Sequence, residues 1–162
     1  MDELRLLQVL ENDPRISITD LADILNETEE LVVRTKRRLE EEKIICGYHT
    51  VINWDKTNRD HCMAIIEVGA QPERENGYDN VAAEISKFPE VSSLYLMSGK
   101  SEFMVVIQGK TMREVADFVG QKLAPIEGVK HTITCFVLKQ YKVEGVLVTE
   151  EENAPERLIV TP

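Results

Sequence analysis

The chain has 162 residues, room for one medium domain or two small ones at ~100 to 200 residues each, which excludes a large multidomain enzyme. With 43% apolar and 30% charged residues it is composed like a soluble globular protein. No run approaches the ~18 apolar residues of a membrane-spanning helix, and Met1-Asp2-Glu3 lacks the basic and apolar stretches of a secretory signal, so a cytoplasmic protein with no membrane partner is expected. The net charge of -10, from 19 basic and 29 acidic side chains, argues against nucleic acid as a partner unless basic groups cluster locally. Cys46, Cys62 and Cys135 cannot all pair within one chain and show no C-x-x-C spacing, so neither a disulfide framework nor a zinc ribbon is expected.

Leu4, Leu7 and Leu10 recur at helical spacing until Asn12-Asp13-Pro14, where proline denies the next turn its donor. Ser17, with Asp20 three residues on, opens a second, two-turn helix carrying Leu21, Ala22, Ile24 and Leu25. Asn26 and Glu27 break it. Thr28 then caps a third helix, with Glu29 and Glu30 in its first turn, running to about Lys43. Three short helices, the last two separated by a tight turn, have the layout of a helix-turn-helix unit. The run Ile44-Ile45-Cys46-Gly47-Tyr48-His49-Thr50-Val51-Ile52 is rich in β-branched and aromatic residues and reads as an extended, wing-like segment.

Residues 53–60 read as a linker, in which Trp54 is placed to anchor the two domains. From there the hydrophobic period changes from helical to alternating. Residues 62–68 form a strand, 69–77 a loop, and Tyr78, Val81, Ala82, Ile85 and Phe88 one helical stripe stopped by Pro89. Residues 91–97 and 103–107 are strands of a hairpin, with Gly99 expected at a positive backbone angle. Thr111 with Glu114 opens a helix that buries Val115, Phe118, Val119 and Leu123, closed by Pro125 and Gly128, and 129–138 is a fourth strand. The order βαββαβ is that of a ferredoxin-like unit. The expected class is therefore α+β: a winged-helix-like helix-turn-helix domain over 1–52, a linker over 53–60, a ferredoxin-like domain over 61–142, and a tail over 143–162. In that tail Gly145-Val146-Leu147-Val148-Thr149 and Arg157-Leu158-Ile159-Val160-Thr161 form edge strands or pack on a partner chain.

The third helix carries the densest basic cluster. Over residues 1–55, seven basic side chains stand against thirteen acidic ones, a net of -6, yet four of the seven lie between 34 and 38. With Val32, Thr35 or Lys36, and Leu39 inward, Glu30, Val33, Arg34, Arg37 and, to one side, Arg38 face outward, as a helix in a major groove requires. Arginine forks clamp guanine edges or phosphates at two points. The same charges also fit a solvated face paired with Glu30, Glu40, Glu41 and Glu42 at i,i+3 or i,i+4 spacing. The capped helix and tight turn upstream favour double-stranded DNA, because a generic surface helix has no need of them. Glu30, Val33, Arg34, Lys36, Arg37 and Arg38 are the candidate contacts.

The run Arg15-Ile16-Ser17-Ile18-Thr19-Asp20-Leu21-Ala22, then Arg37-Arg38-Leu39-Glu40 and Ile44-Ile45-Cys46-Gly47-Tyr48, resembles the N-terminal half of the Lrp/AsnC family of transcription regulators. Residues 91–99, the Thr111 helix and Gly128-Val129 with Thr132-Ile133-Thr134 resemble that family's ferredoxin-like effector domain, so the likeness covers 1 to about 142. It implies a cytoplasmic DNA-binding homodimer that assembles further to tetramers or octamers, with an amino acid or related metabolite bound between effector domains and no cofactor. Two heads tied by a sheet-mediated dimer would meet successive major grooves roughly 34 Å apart, which implies a palindromic or pseudo-palindromic operator.

The sequence departs from the family pattern at two places. Thr35 stands where the family usually has a basic residue and Lys36 where it has an aliphatic one; Lys36 can extend from the core edge toward phosphate. The family's Gly-Asp-x-Asp turn is here Gly99-Lys100-Ser101-Glu102, so of its acids only Glu102 carries over, and Lys100 favours an acidic ligand or pairs with Glu102. Gly99, Lys100, Ser101 and Glu102, with Thr132 and Thr134 on one face of the last strand, are the candidate effector residues; the alternatives are a structural turn and ordinary β-formers. His49, His61 and His131 are scattered, so no metal site is expected.

Certain decarboxylases of the sirohaem pathway resemble the same family but carry a C-terminal aromatic, His and Arg motif; His131, Phe136, Tyr141 and Arg157 are too dispersed to form one. No Ser/His/Asp or Cys/His arrangement and no phosphate loop is present either, so no enzymatic role is expected. The remaining alternative is a metabolite-sensing or assembly module with weak or lost DNA binding.

Overall fold

In the computed structural model, which describes residues 1–149, the chain divides into one unit over Met1–Thr50 and a second from Val51 onward. Helix α1 (Glu3–Asn12) starts where the Asp2 carboxylate accepts from Arg5 N–H and ends at Asp13, ahead of Pro14. Helix α2 (Ile18–Leu25) is capped by Ser17, whose Oγ accepts from Asp20 N–H at 3.1 Å and donates to the Asp20 carboxylate at 2.6 Å. It stops at Asn26, which adopts the left-handed conformation (φ 54°) that asparagine tolerates better than most residues. Helix α3 (Glu29–Glu41) begins at the Thr28 cap. The three helices close on Leu6, Leu10, Leu21, Ala22, Leu25, Val32 and Leu39.

The expected wing is not a strand. Lys43 turns left-handed (φ 60°), which ends α3 two residues before the expected limit, and Ile44 and Ile45 both donate their N–H to the Leu39 carbonyl. Residues 46–52 join no ladder among the described residues. β-Branched composition favours strand only where a neighbouring strand supplies the hydrogen bonds, and this unit offers none.

In the second unit, a short 3-10 turn (Trp54–Lys56) occupies the expected linker. The main sheet contains β1 (Cys62–Ala70), β2 (Val91–Leu96), β3 (Phe103–Gly109) and β4 (Val129–Phe136), all antiparallel, in the order β2-β3-β1-β4. Helices α4 (Asp79–Ser86) and α5 (Met112–Phe118) complete the βαββαβ order. One sheet face is filled by Ala64, Ile66, Val68, Phe103, Val105 and Ile107, and the core adds Val81 and Ile85 from α4 and Val115 and Phe118 from α5. After α5 the chain runs on as a π-helical turn (Val119–Leu123), which keeps both Val119 and Leu123 buried.

Strand bounds and turns shift here. β1 and β3 each run two residues further than expected, β1 through Gly69 and Ala70 with an irregularity against β4, while β2 and β4 stop at Leu96 and Phe136, one and two residues short. Gly99 is not at a positive angle. The connection over 98–102 is five residues long and closes with Met97 N–H donating to the Glu102 carbonyl, so the reversal is spread over several residues and none need be left-handed. In the tail, Val146–Leu147 pairs with Lys142–Val143 as a separate two-stranded hairpin, turning at Glu144 and Gly145 (φ 46° and 80°), the positive pair a tight hairpin requires. The strand expected over 157–161 lies outside the described residues.

Gly128 combines a positive backbone angle with a close buried neighbour. Its φ is 91°, and a Cβ there would lie 2.9 Å from Cγ2 of buried Val81. Gly128→Ala is expected to destabilise the second unit by roughly 1–3 kcal/mol, read as a lowered urea midpoint at unchanged m-value.

Candidate functional site

Helix α3 presents the outward face foreseen from its periodicity. Val32, Thr35 and Leu39 are buried, which settles the inward position in favour of Thr35 over Lys36, while Glu30, Val33, Arg34 and Arg37 are exposed. Thr35 is short enough to sit within the core edge, whereas Lys36 lies half-buried on the flank with its Nζ 5.1 Å from the Tyr48 ring centre and 3.9 Å from the Glu40 carboxylate.

The cations of this helix are not equivalent. Arg37 pairs with Glu41 at 2.9 Å, and Arg38 is held between Glu42 on its own helix and Glu3 of α1. Those two carboxylates raise the Arg38 guanidinium above its ordinary value and use its donors to tie α3 to α1. Arg34 has no ion pair or side-chain hydrogen bond among the described residues. Glu29 is engaged by Thr19 of α2, whose hydroxyl donates to it at 2.7 Å.

Tyr48 donates to the Glu40 carboxylate at 2.8 Å. Burial first, then that bond and the Glu40 charge, push its phenol up to about 12. Because the folded value lies above the unfolded one of about 10, the contribution to stability is fully present below pH ~10 and is lost as pH rises toward the folded value. A phenolate absorbance titration is expected to show one component near 12, and Tyr48→Phe should remove that component alone.

The second candidate site is the β2-β3 turn. Glu102 accepts from Ala70 N–H at 2.8 Å, and the buried Ser101 hydroxyl donates to the Glu67 carboxylate at 3.3 Å, so the turn is fastened to the end of β1. Lys100 does not pair with Glu102; it is exposed and has no partner among the described residues. Gly99 faces open space. Thr132 and Thr134 share one face of β4 as expected, opposite Val68 and Ile66, hence on the helix-covered side and half-buried. Phe103, Val68 and Thr132 form one row across three strands. At about 4.8 Å per strand, this sets Thr132 roughly 10 Å from the base of the turn. The structure thus brings 99–102 together and leaves the two threonines separate from them.

The turn's surroundings include residues not foreseen. Glu67 has the parity of the open sheet face and is a lone charge within an otherwise apolar strand. The His131 ring lies over Gly69, where a Cβ would come within 2.0 Å of its Cε1. A glycine inside a strand pattern was the available signal for such a close approach. Around the 3-10 turn, Trp54 stacks on His61 at 5.6 Å and lies 5.0 Å from the Arg59 guanidinium, all within the second unit. All three cysteines are free. Among the described residues no group of three His, Cys, Asp or Glu could hold a metal ion, and no helix is long and apolar enough to cross a membrane.

A capped helix-turn-helix with an outward cationic face, followed by a βαββαβ sheet domain, defines a transcriptional regulator with a ligand-binding body. The Lrp/AsnC ligand binding domain matches residues 63–147. An uncharacterised HTH-type transcriptional regulator of Bacillus subtilis is 36% identical over 99% of this chain and 96% of its own. The HTH-type transcriptional regulator LrpA of Pyrococcus abyssi is 33% identical over 85% of this chain and 94% of its own. The L-Met complex of a transcriptional regulator from Neisseria meningitidis superposes with a TM-score of 0.66 at 25% identity, over 85% of this chain and 88% of that one. The chain belongs to the Lrp/AsnC family of transcriptional regulators.

Proposed function

We propose that this regulator works in the cytoplasm as a homodimer, assembling further to tetramers or octamers, that reads double-stranded DNA through α3 and responds to a small effector, without a catalytic role. In this reading residues 1–52 are the DNA-reading head, 53–60 the linker and 61–142 the effector and assembly domain. The observation that carries it is the exposed row Glu30, Val33, Arg34 and Arg37 on a helix whose start is fixed by a turn and a Thr28 cap. Lys36 and Arg38 flank that row, where phosphates lie when the helix enters a groove.

The open sheet face supports the dimer. Ile65, Met104 and Val106 are half-exposed there, and Tyr95 and Ile133 are 50% and 42% exposed. Apart from Glu67, whose carboxylate accepts from Ser101, the centre of this face is apolar, and such a face is suited to a second copy of itself through a twofold axis. Gly99, Lys100, Ser101, Glu102, Thr132 and Thr134 are the proposed effector residues, and the L-Met bound to the Neisseria relative supports an amino acid or related metabolite.

Electrophoretic shift against the protein's own promoter at two salt concentrations tests the reading, because affinity carried by phosphate contacts falls steeply with salt. The second reading, a sensing module with weak or lost DNA binding, is favoured by the pairing of Lys36, Arg37 and Arg38 with carboxylates, and predicts no shift at either salt.

A further inference from the structure

Within α3, Lys36 with Glu40, Arg37 with Glu41 and Arg38 with Glu42 all stand at i,i+4 and all are paired. Glu30 and Arg34 stand at the same spacing, with the acid N-terminal to the cation, the favoured orientation, yet neither has a partner among the described residues. Glu29 beside them is occupied by Thr19. The outward face near the helix start therefore offers a free acceptor-only group, a free donor-only fork and, between them, the 48% exposed Val33. The N-terminal residues of a recognition helix are those that reach base edges.

We propose that this face reads a half-site in which a guanine and a cytosine lie within about two base-pair steps of each other beside a thymine. Arg34 donates to guanine O6 and N7, Glu30 accepts from the cytosine N4 amino group, and Val33 packs on the thymine methyl. The spacing follows from the helix: four residues advance about 6 Å along the axis, and base pairs are stacked about 3.4 Å apart. A carboxylate turned toward a duplex repels phosphates everywhere and is compensated only where an amino group meets it. Glu30 thereby lowers affinity for random DNA and raises selectivity. The inference rests on the DNA reading of α3 proposed above.

The test is selection of bound sequences from a random duplex library by the full-length protein and by its E30Q, R34A and V33A variants, all at exposed positions. The wild-type half-site should contain the guanine and the cytosine. R34A should lose roughly 10- to 100-fold preference at the guanine. E30Q should lose the cytosine preference while binding random DNA several-fold more tightly, a change in opposite directions that a merely structural role for Glu30 does not produce. Uracil in place of the selected thymine should weaken wild-type binding and leave V33A unaffected. An enriched site lacking these bases, or base preferences unmoved by the variants, overturns the inference and leaves the DNA reading standing. Enrichment of no sequence at all overturns both.

Discussion

Arg34→Ala combined with Arg37→Ala is expected to abolish the electrophoretic shift at physiological salt while leaving the melting temperature and the oligomer unchanged. Arg34 has no partner among the described residues, so its removal costs them nothing that a hydrogen bond or ion pair supplies. Arg37 loses one exposed pair with Glu41, and pairs of that kind are worth at most about 1 kcal/mol. On DNA a two-point base contact contributes about 1–3 kcal/mol, and each cation removed from the interface adds a salt-dependent increment. Together they should weaken binding on the order of 10²- to 10³-fold, with a shallower salt slope. Arg15→Ala, at a 93% exposed side chain in the α1–α2 connection, is the control and should leave the shift intact. A double variant that still shifts DNA at wild-type affinity would remove α3 from the reading surface.

Leu21→Ala should have the largest effect on stability. Leu21 is fully buried in a core of seven apolar residues, and truncating such a leucine costs about 2–5 kcal/mol. A fifty-residue helical unit has little surplus stability to absorb that loss. The sheet domain has its own core of thirteen residues. The expected outcome is loss of part of the helical circular dichroism and of DNA binding at 37 °C, with a separate cooperative melting transition retained by the sheet domain. Loss of both domains in one transition would contradict the assignment of separate cores.

The caps that define α2, α3 and α5 were legible because each is a bond between residues three apart: Ser17 with Asp20, Thr28 with Leu31, and Thr111 with Glu114. The four sheet strands and the buried stripes of α4 and α5 followed from hydrophobic period. The outward row of α3 was legible for the same reason, since a helix of known start places its faces by geometry alone.

Local spacing carries no information about which distant group satisfies a donor, and the departures at charged groups are of that type. The 44–52 run reads as extended from composition, but a ladder needs a second strand, and the Leu39 carbonyl accepts its first two N–H groups instead. Glu102 was open to Lys100 or a ligand until folding brought it against Ala70 N–H, 32 positions away. Arg38 was one of four equal cations until Glu3, 35 positions away, joined Glu42 on it. Patterns of three, four and two residues thus determined the elements and their faces. The state of each charged group, occupied like Arg38 and Glu102 or without a partner among the described residues like Arg34 and Glu30, was decided only when chain closure brought remote partners within hydrogen-bonding reach.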